Sequence, residues 1–188
     1  MPRILVRRAL FVVITLSLAL SAGCGPSGDP RQQANGTIIE ANQVIEEHNR
    51  LYAEARDTYD EAKEAVETGD DPSEEAERFT ETRETMKEAQ ARLSEARQLL
   101  AEVRNLDVDA ELRDYVGLLS EALDTQAAAE DREIDYYRIL EEDPSLEDDR
   151  ERALDILQQV DDFSQRAEED YDRAREFADD NPELIRER

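Results

Sequence analysis

Apolar residues in this chain recur in alternating steps of three and four. From residue 38 the series runs Ile38, Ala41, Ile45, His48, Tyr52, Ala55, Tyr59, Ala62, Val66 without a fault. Such spacing lines one face of a long helix and makes a heptad seam. Val44, Leu51 and Ala65 widen the stripe, as burial within a bundle requires. Thr37 and Glu40 have capping-box spacing, which predicts a helix start at Thr37. Gly69 is the expected stop. A second helix is announced by Asp71, a good N-cap, and Pro72, suited to the first helical position. Its seam runs Phe79, Thr82, Met86, Ala89, Leu93, Ala96, Leu100, Val103, with a break around Asn105 to Asp109.

A third helix opens at Asp107 or Asp109. Leu112, Val116, Leu119, Leu123, Ala127, Ile134 and Tyr137 mark its inner side. Three polar residues, Gln126, Glu130 and Glu133, fall on or beside that seam, so its middle is irregular. Gly117 inside it costs roughly 1 kcal/mol against alanine and points to a close helix contact. A fourth helix is expected after Asp143-Pro144-Ser145, the same turn chemistry as Asp71-Pro72-Ser73. Ala153, Ile156, Val160, Phe163, Ala167, Tyr171, Ala174 and Ala178 form its seam, and Asn181-Pro182 ends it.

Four helices of about 33 residues, each roughly 50 Å long, joined by short connections, must run antiparallel to their neighbours. The predicted fold is all-α, an antiparallel up-down-up-down four-helix bundle over residues 37–180, with a frayed tail at 181–188. The two Asp-Pro-Ser turns lie two helices apart, and Val44/Val116, Leu51/Leu123 and Ala55/Ala127 agree at the same offset. Most positions do not, which favours convergent turn chemistry over a duplicated hairpin. The seams are rich in alanine (Ala55, Ala62, Ala89, Ala96), which permits close approach but buries little area. Association with a second copy is one way to cover such a thin core. Glu46/Arg50, Glu74/Arg78, Glu88/Arg92, Asp109/Arg113 and Glu169/Arg173 have i,i+4 spacing on outward faces, worth about 0.2–0.5 kcal/mol each.

The first 36 residues are of a different kind. Arg3, Arg7 and Arg8 precede an apolar run from Ala9 to Leu20. That run is within the roughly 7–15 residues of a signal-peptide core and short of the about 20 a membrane span needs. Ser21, Ala22 and Gly23 are small, and Cys24, the single cysteine, follows them. Ala22-Gly23-Cys24 resembles the lipobox of bacterial lipoproteins. Ser21 stands where leucine is commonest, with Leu20 one place earlier. The resemblance implies cleavage before Cys24, a diacylglyceryl thioether on its sulfur and an acyl chain on its amino group. Two or more chains anchor stably where one does not. With Gly25 rather than aspartate after Cys24, it further implies outer-membrane sorting in a Gram-negative host. An ordinary secretory peptide is the alternative. Residues 24–36, polar and rich in breakers, are expected to be a flexible tether.

The chain has 188 residues and a net charge of −26. Nucleic-acid binding demands a basic face, so this charge argues against it, and against a body lying flat on anionic lipid. Its two lysines are Lys63 and Lys87; arginine supplies the remaining cations. This balance resembles that of proteins from salt-loving bacteria or GC-rich genomes.

Candidate chemistry is sparse. His48, the single histidine, occupies a seam position and reads as a core or boundary residue rather than a ligand. Di-iron bundles need two Glu-x-x-His pairs; Ile45 stands three before His48, and there is no second histidine. Zinc with Cys and His ligands is excluded by count. The acidic turns lack EF-hand spacing. No catalytic constellation, cofactor site or metal site is predicted. Tyr136-Tyr137 is the one aromatic doublet. Adjacent helical positions point about 100° apart, so one of them is expected at the boundary, as a solvated tyrosine or a partner contact. The expectation is a non-enzymatic, lipid-anchored scaffold or interaction module of the cell envelope, held at the membrane through Cys24, with an unknown envelope protein as partner. The alternative is a periplasmic carrier or chaperone-like module, holding an apolar ligand or client in a groove around Gln126 and Glu130.

Overall fold

The computed structural model describes residues 29–69 and 71–184, and it is all-α. The signal segment and Cys24 lie outside the described residues. Four helices follow one another: α1 (Pro30–Thr68), α2 (Pro72–Arg104), α3 (Ala110–Glu142) and α4 (Arg150–Asp180), then a 3-10 turn at Pro182–Leu184. Their lengths are 39, 33, 33 and 31 residues. Sequential neighbours pack together, α1 on α2, α2 on α3 and α3 on α4, as in a four-helix bundle.

The turn between α1 and α2 has local causes. Asp71 caps α2 by accepting from the Ser73 amide at 3.0 Å, with Pro72 in the first turn. Gly69 ends α1 at φ 104°, where its N–H reaches the Ala65 and Val66 carbonyls. A side chain is strained there, which is why glycine serves.

Two boundaries differ from the sequence expectation. The first helix starts at Pro30, not Thr37, so residues 30–36 are helical rather than tether. Asp29-Pro30 repeats the cap chemistry of Asp71-Pro72, with the Asp29 carboxylate accepting from the Arg31 amide at 3.0 Å. Burial of Ala34, Ile38 and Ala41 supports this extra length and outweighs Gly36. Conversely, Asp143-Pro144 starts no helix. Asp143 follows the last residue of α3, and its carboxylate organises a loop instead, accepting from Ser145 Oγ at 3.1 Å and the amides of Asp148 and Asp149 at 2.9 and 3.1 Å. In that loop Leu146 adopts φ 52°. Nor does the whole tail fray: Leu184 is buried, and its carbonyl accepts from the Arg31 guanidinium at 3.4 Å. Gly117 makes no close contact; a Cβ there would meet nothing within 4 Å.

The surface ion pairs also differ. Arg50 bonds Glu54 at 3.0 Å, and Arg78 bonds Glu75 at 3.5 Å. Arg173 bonds Asp170 at 2.5 Å and Glu121 at 3.4 Å. Carboxylates outnumber cations 49 to 23, so each arginine has several partners in reach. Among the described residues most pairs join residues three apart or on different helices, and Arg50–Glu54 alone is four apart.

The core falls into two apolar clusters. One lies around Ile38, Leu93, Leu100, Leu112, Val116 and Leu123. The other lies around Tyr59, Phe79, Met86, Tyr137, Ile139 and Ile156. Between them is a layer of buried polar side chains.

Candidate functional site

The polar layer is built chiefly from α1 and α3. His48 is fully buried, and its Nε2 lies 2.8 Å from Glu130 Oε1. The other ring nitrogen, Nδ1, lies 3.0 Å from Asn49 Oδ1. Gln126 donates to the same Glu130 oxygen at 3.0 Å, and Tyr171 of α4 donates to Gln126 Oε1 at 2.6 Å. One turn further on, Glu133 accepts from the Tyr52 hydroxyl at 2.9 Å and from Arg56 at 3.2 Å. Next comes the Tyr59–Tyr136 hydroxyl pair at 3.2 Å. Sequence separations across these contacts stay between 77 and 82. A near-constant offset is the signature of two helices running the same way.

These groups satisfy one another because an unpaired polar atom in a dry core is costly. One exception is Glu130 Oε2, which is buried with no hydrogen-bond partner among the described residues. Burial pushes the Glu133 carboxyl up to about 6, against the opposing pull of Arg56 and Tyr52. Burial works against the Arg56 charge too, but the oxygens of Tyr137, Glu133 and Tyr52 outweigh it and hold the guanidinium protonated. Burial, then the charge of Glu133, raises Tyr52 and Tyr137 well above the ordinary tyrosine value. Both His48 nitrogens are engaged and the ring is covered, so this arrangement offers no imidazole nitrogen to a substrate; a general base must reach one.

The aromatic doublet departs from expectation. Tyr136 and Tyr137 are both buried, at 7% and 1% exposure, so neither stands out as an exposed anchor. Tyr137 packs in the core against Tyr59, with ring centroids 5.4 Å apart. Tyr136 lies edge-on to Tyr59 at 6.0 Å and lines a partly open pocket of about 160 Å³. Tyr59, Lys63 and Glu67 of α1, Phe79 of α2, Tyr136 and Leu140 of α3 and Leu146 of the α3–α4 loop line this pocket. It sits where α1 and α3 end, far from the start of α1.

Sequence reasoning placed His48 within the α1 seam and marked Gln126, Glu130 and Glu133 as polar interruptions of the α3 seam, but did not pair them. It missed Arg56 and the pocket altogether. Arg56 follows seam residue Ala55 and stands four after Tyr52, so the signal was a cation one turn from another polar seam position.

Among the described residues, no group of three or more His, Cys, Asp or Glu could hold a metal ion. None of the described helices is long and apolar enough to cross a membrane. The fold and the layer together define an all-α bundle with a paired polar centre. No protein-family model, curated protein or solved structure matches the chain.

Proposed function

We propose that this chain is a lipid-anchored, non-enzymatic interaction module of a bacterial envelope, in which a rigid acidic rod stands off the membrane and presents its far end to a protein partner. The observation that carries the reading is the start of α1. Helix begins at Pro30, so only the five residues Gly25 to Asp29 separate it from Cys24. A lipid on Cys24 would then fix the Pro30 end of the bundle close to the bilayer. The 39 residues of α1 span about 60 Å at 1.5 Å per residue. The Gly69 turn, the α3–α4 loop and the aromatic pocket would lie at the outer end. The net charge of −26 favours this upright posture over one flat on anionic lipid. Gln126 and Glu130, where a client groove was considered, are turned inward and bonded to Tyr171 and His48.

Fractionation tests the anchor. Wild-type chain should partition with membranes and incorporate labelled palmitate, and Cys24→Ala should do neither. Retention of Cys24→Ala on membranes after high-salt washing would overturn the anchoring. In-cell crosslinking with mass spectrometry tests the second half, which expects one dominant envelope protein as partner.

A further inference from the structure

The pocket at the Gly69 end is walled by aromatic rings in a strongly acidic protein. The Tyr59 ring lies 6.3 Å from Phe79 and 6.0 Å from Tyr136, centroid to centroid. Two cations already lie on Tyr59: the Arg56 guanidinium at 5.3 Å and the Lys63 ammonium at 5.8 Å from the ring centroid. Arg56 is tied from behind to Glu133. Lys63 is not tied; it makes no ion pair among the described residues, whereas Lys87, the other lysine, bonds Glu84 at 2.8 Å. Yet Asp60, Glu64 and Glu67 all flank Lys63 on α1. An ammonium that leaves nearby carboxylates for ring faces marks a place where cations are held, since the face of an aromatic ring attracts positive charge.

We propose that this pocket is a docking site for a cationic side chain, a lysine or arginine displayed by a basic protein partner, and that Lys63 is the built-in group it displaces. Charge complementarity selects that occupant. An anion would meet Glu67 on the wall and the field of a chain at −26. A neutral apolar group would gain burial but nothing from either feature. Displacing Lys63 costs little, because Asp60 stands three residues before it on α1, exposed and outside the pocket, and can accept the released ammonium at the surface. Leu146, at φ 52° in the Asp143 loop, forms one wall of the site. That the pocket faces outward rests on the reading of the chain as a lipid-anchored rod; its chemistry does not.

The test is NMR titration of the full chain in non-ionic detergent, following the aromatic resonances of Tyr59 and Tyr136. The probe is N-acetyl-lysine methyl ester, with N-acetyl-norleucine methyl ester as the uncharged control. We expect saturable shifts confined to the pocket rings, weaker by roughly threefold to thirtyfold for the norleucine ester. Lys63→Met, which keeps an apolar stem at this partly exposed position, should tighten lysine-ester binding severalfold, and Tyr59→Leu should abolish it. Equal shifts from both esters, shifts scattered over the acidic surface, or weaker binding by Lys63→Met would overturn the proposal. Those failures leave the anchor untouched, just as a membrane-bound Cys24→Ala chain would leave the pocket untouched.

Discussion

Replacing Glu133 by glutamine isolates the energetic consequence of burying a carboxylate between the two apolar clusters. In the folded chain burial raises this carboxyl from 4.5 to about 6. Between those values the folded state holds a proton that the unfolded chain has already lost. Protonation therefore favours folding: the contribution is fully present below the unfolded value and is lost as pH rises through the folded one. One pKa unit corresponds to about 1.4 kcal/mol, so the difference of about 1.5 units is worth about 2 kcal/mol. Glu133 lies almost wholly out of water, so solvent screening does not dilute it. The other carboxylates repel one another less as pH falls, which also favours folding in acid, but that background is common to both proteins. Urea unfolding followed by circular dichroism, at pH 4 and pH 7.5, gives the comparison. Relative to wild type, Glu133→Gln should be about 2 kcal/mol more stable at pH 7.5 than at pH 4. Arg56 stays charged throughout, so losing it as a partner shifts the variant by a constant and leaves the pH dependence intact. Parallel pH curves would refute the argument that burial dominates at Glu133. A difference of opposite sign would mean that Arg56 and Tyr52 outweigh burial.

Removing the imidazole is a second change in the same layer: His48→Ala leaves the buried Glu130 with Gln126 as its remaining partner and should cost about 1–3 kcal/mol by urea unfolding. The double variant His48→Ala/Glu130→Ala should lose less than the two single losses added, since each deletes what the other needs. Gly36→Ala and Gly117→Ala, both in helix with open space around the new methyl, should each stabilise by about 0.5–1 kcal/mol. Gly69→Ala, at φ 104°, should instead lower the melting temperature. Asp71→Ala removes the cap on the Ser73 amide and should cost about 1 kcal/mol in thermal or urea unfolding.

How the chain discloses its fold follows from the same physics. The seams of α1 and α2 were readable because burial at a helix interface selects for size and polarity at every third or fourth place. Ala55, Tyr59, Phe79 and Met86 are all buried as their spacing requires. Helix ends were readable only where a local bond decides them. Asp71 and Asp143 begin the same tripeptide, and in both turns the aspartate accepts from the serine hydroxyl. One starts a helix and the other does not, because α3 runs on to Glu142 and leaves Asp143 to bridge a seven-residue return to α4. That outcome depends on where the partner helices end, which no tripeptide encodes. The polar layer has the same character. Periodicity exposes His48, Glu130 and Glu133 as exceptions, but a single helix cannot say which exception meets which. Only the parallel course of α1 and α3 brings position 48 to 130 and 52 to 133. Burying polar groups contributes little net stability when an apolar residue would fill the space. What such a layer supplies is register. Sliding α3 by one turn past α1 would set Glu130 and Glu133 against apolar neighbours and strand their carboxyl groups, while the alanine-rich seams on either side would tolerate the slip. In a bundle where so many buried positions are alanine, the few polar pairs are therefore what distinguishes the native alignment from its neighbours.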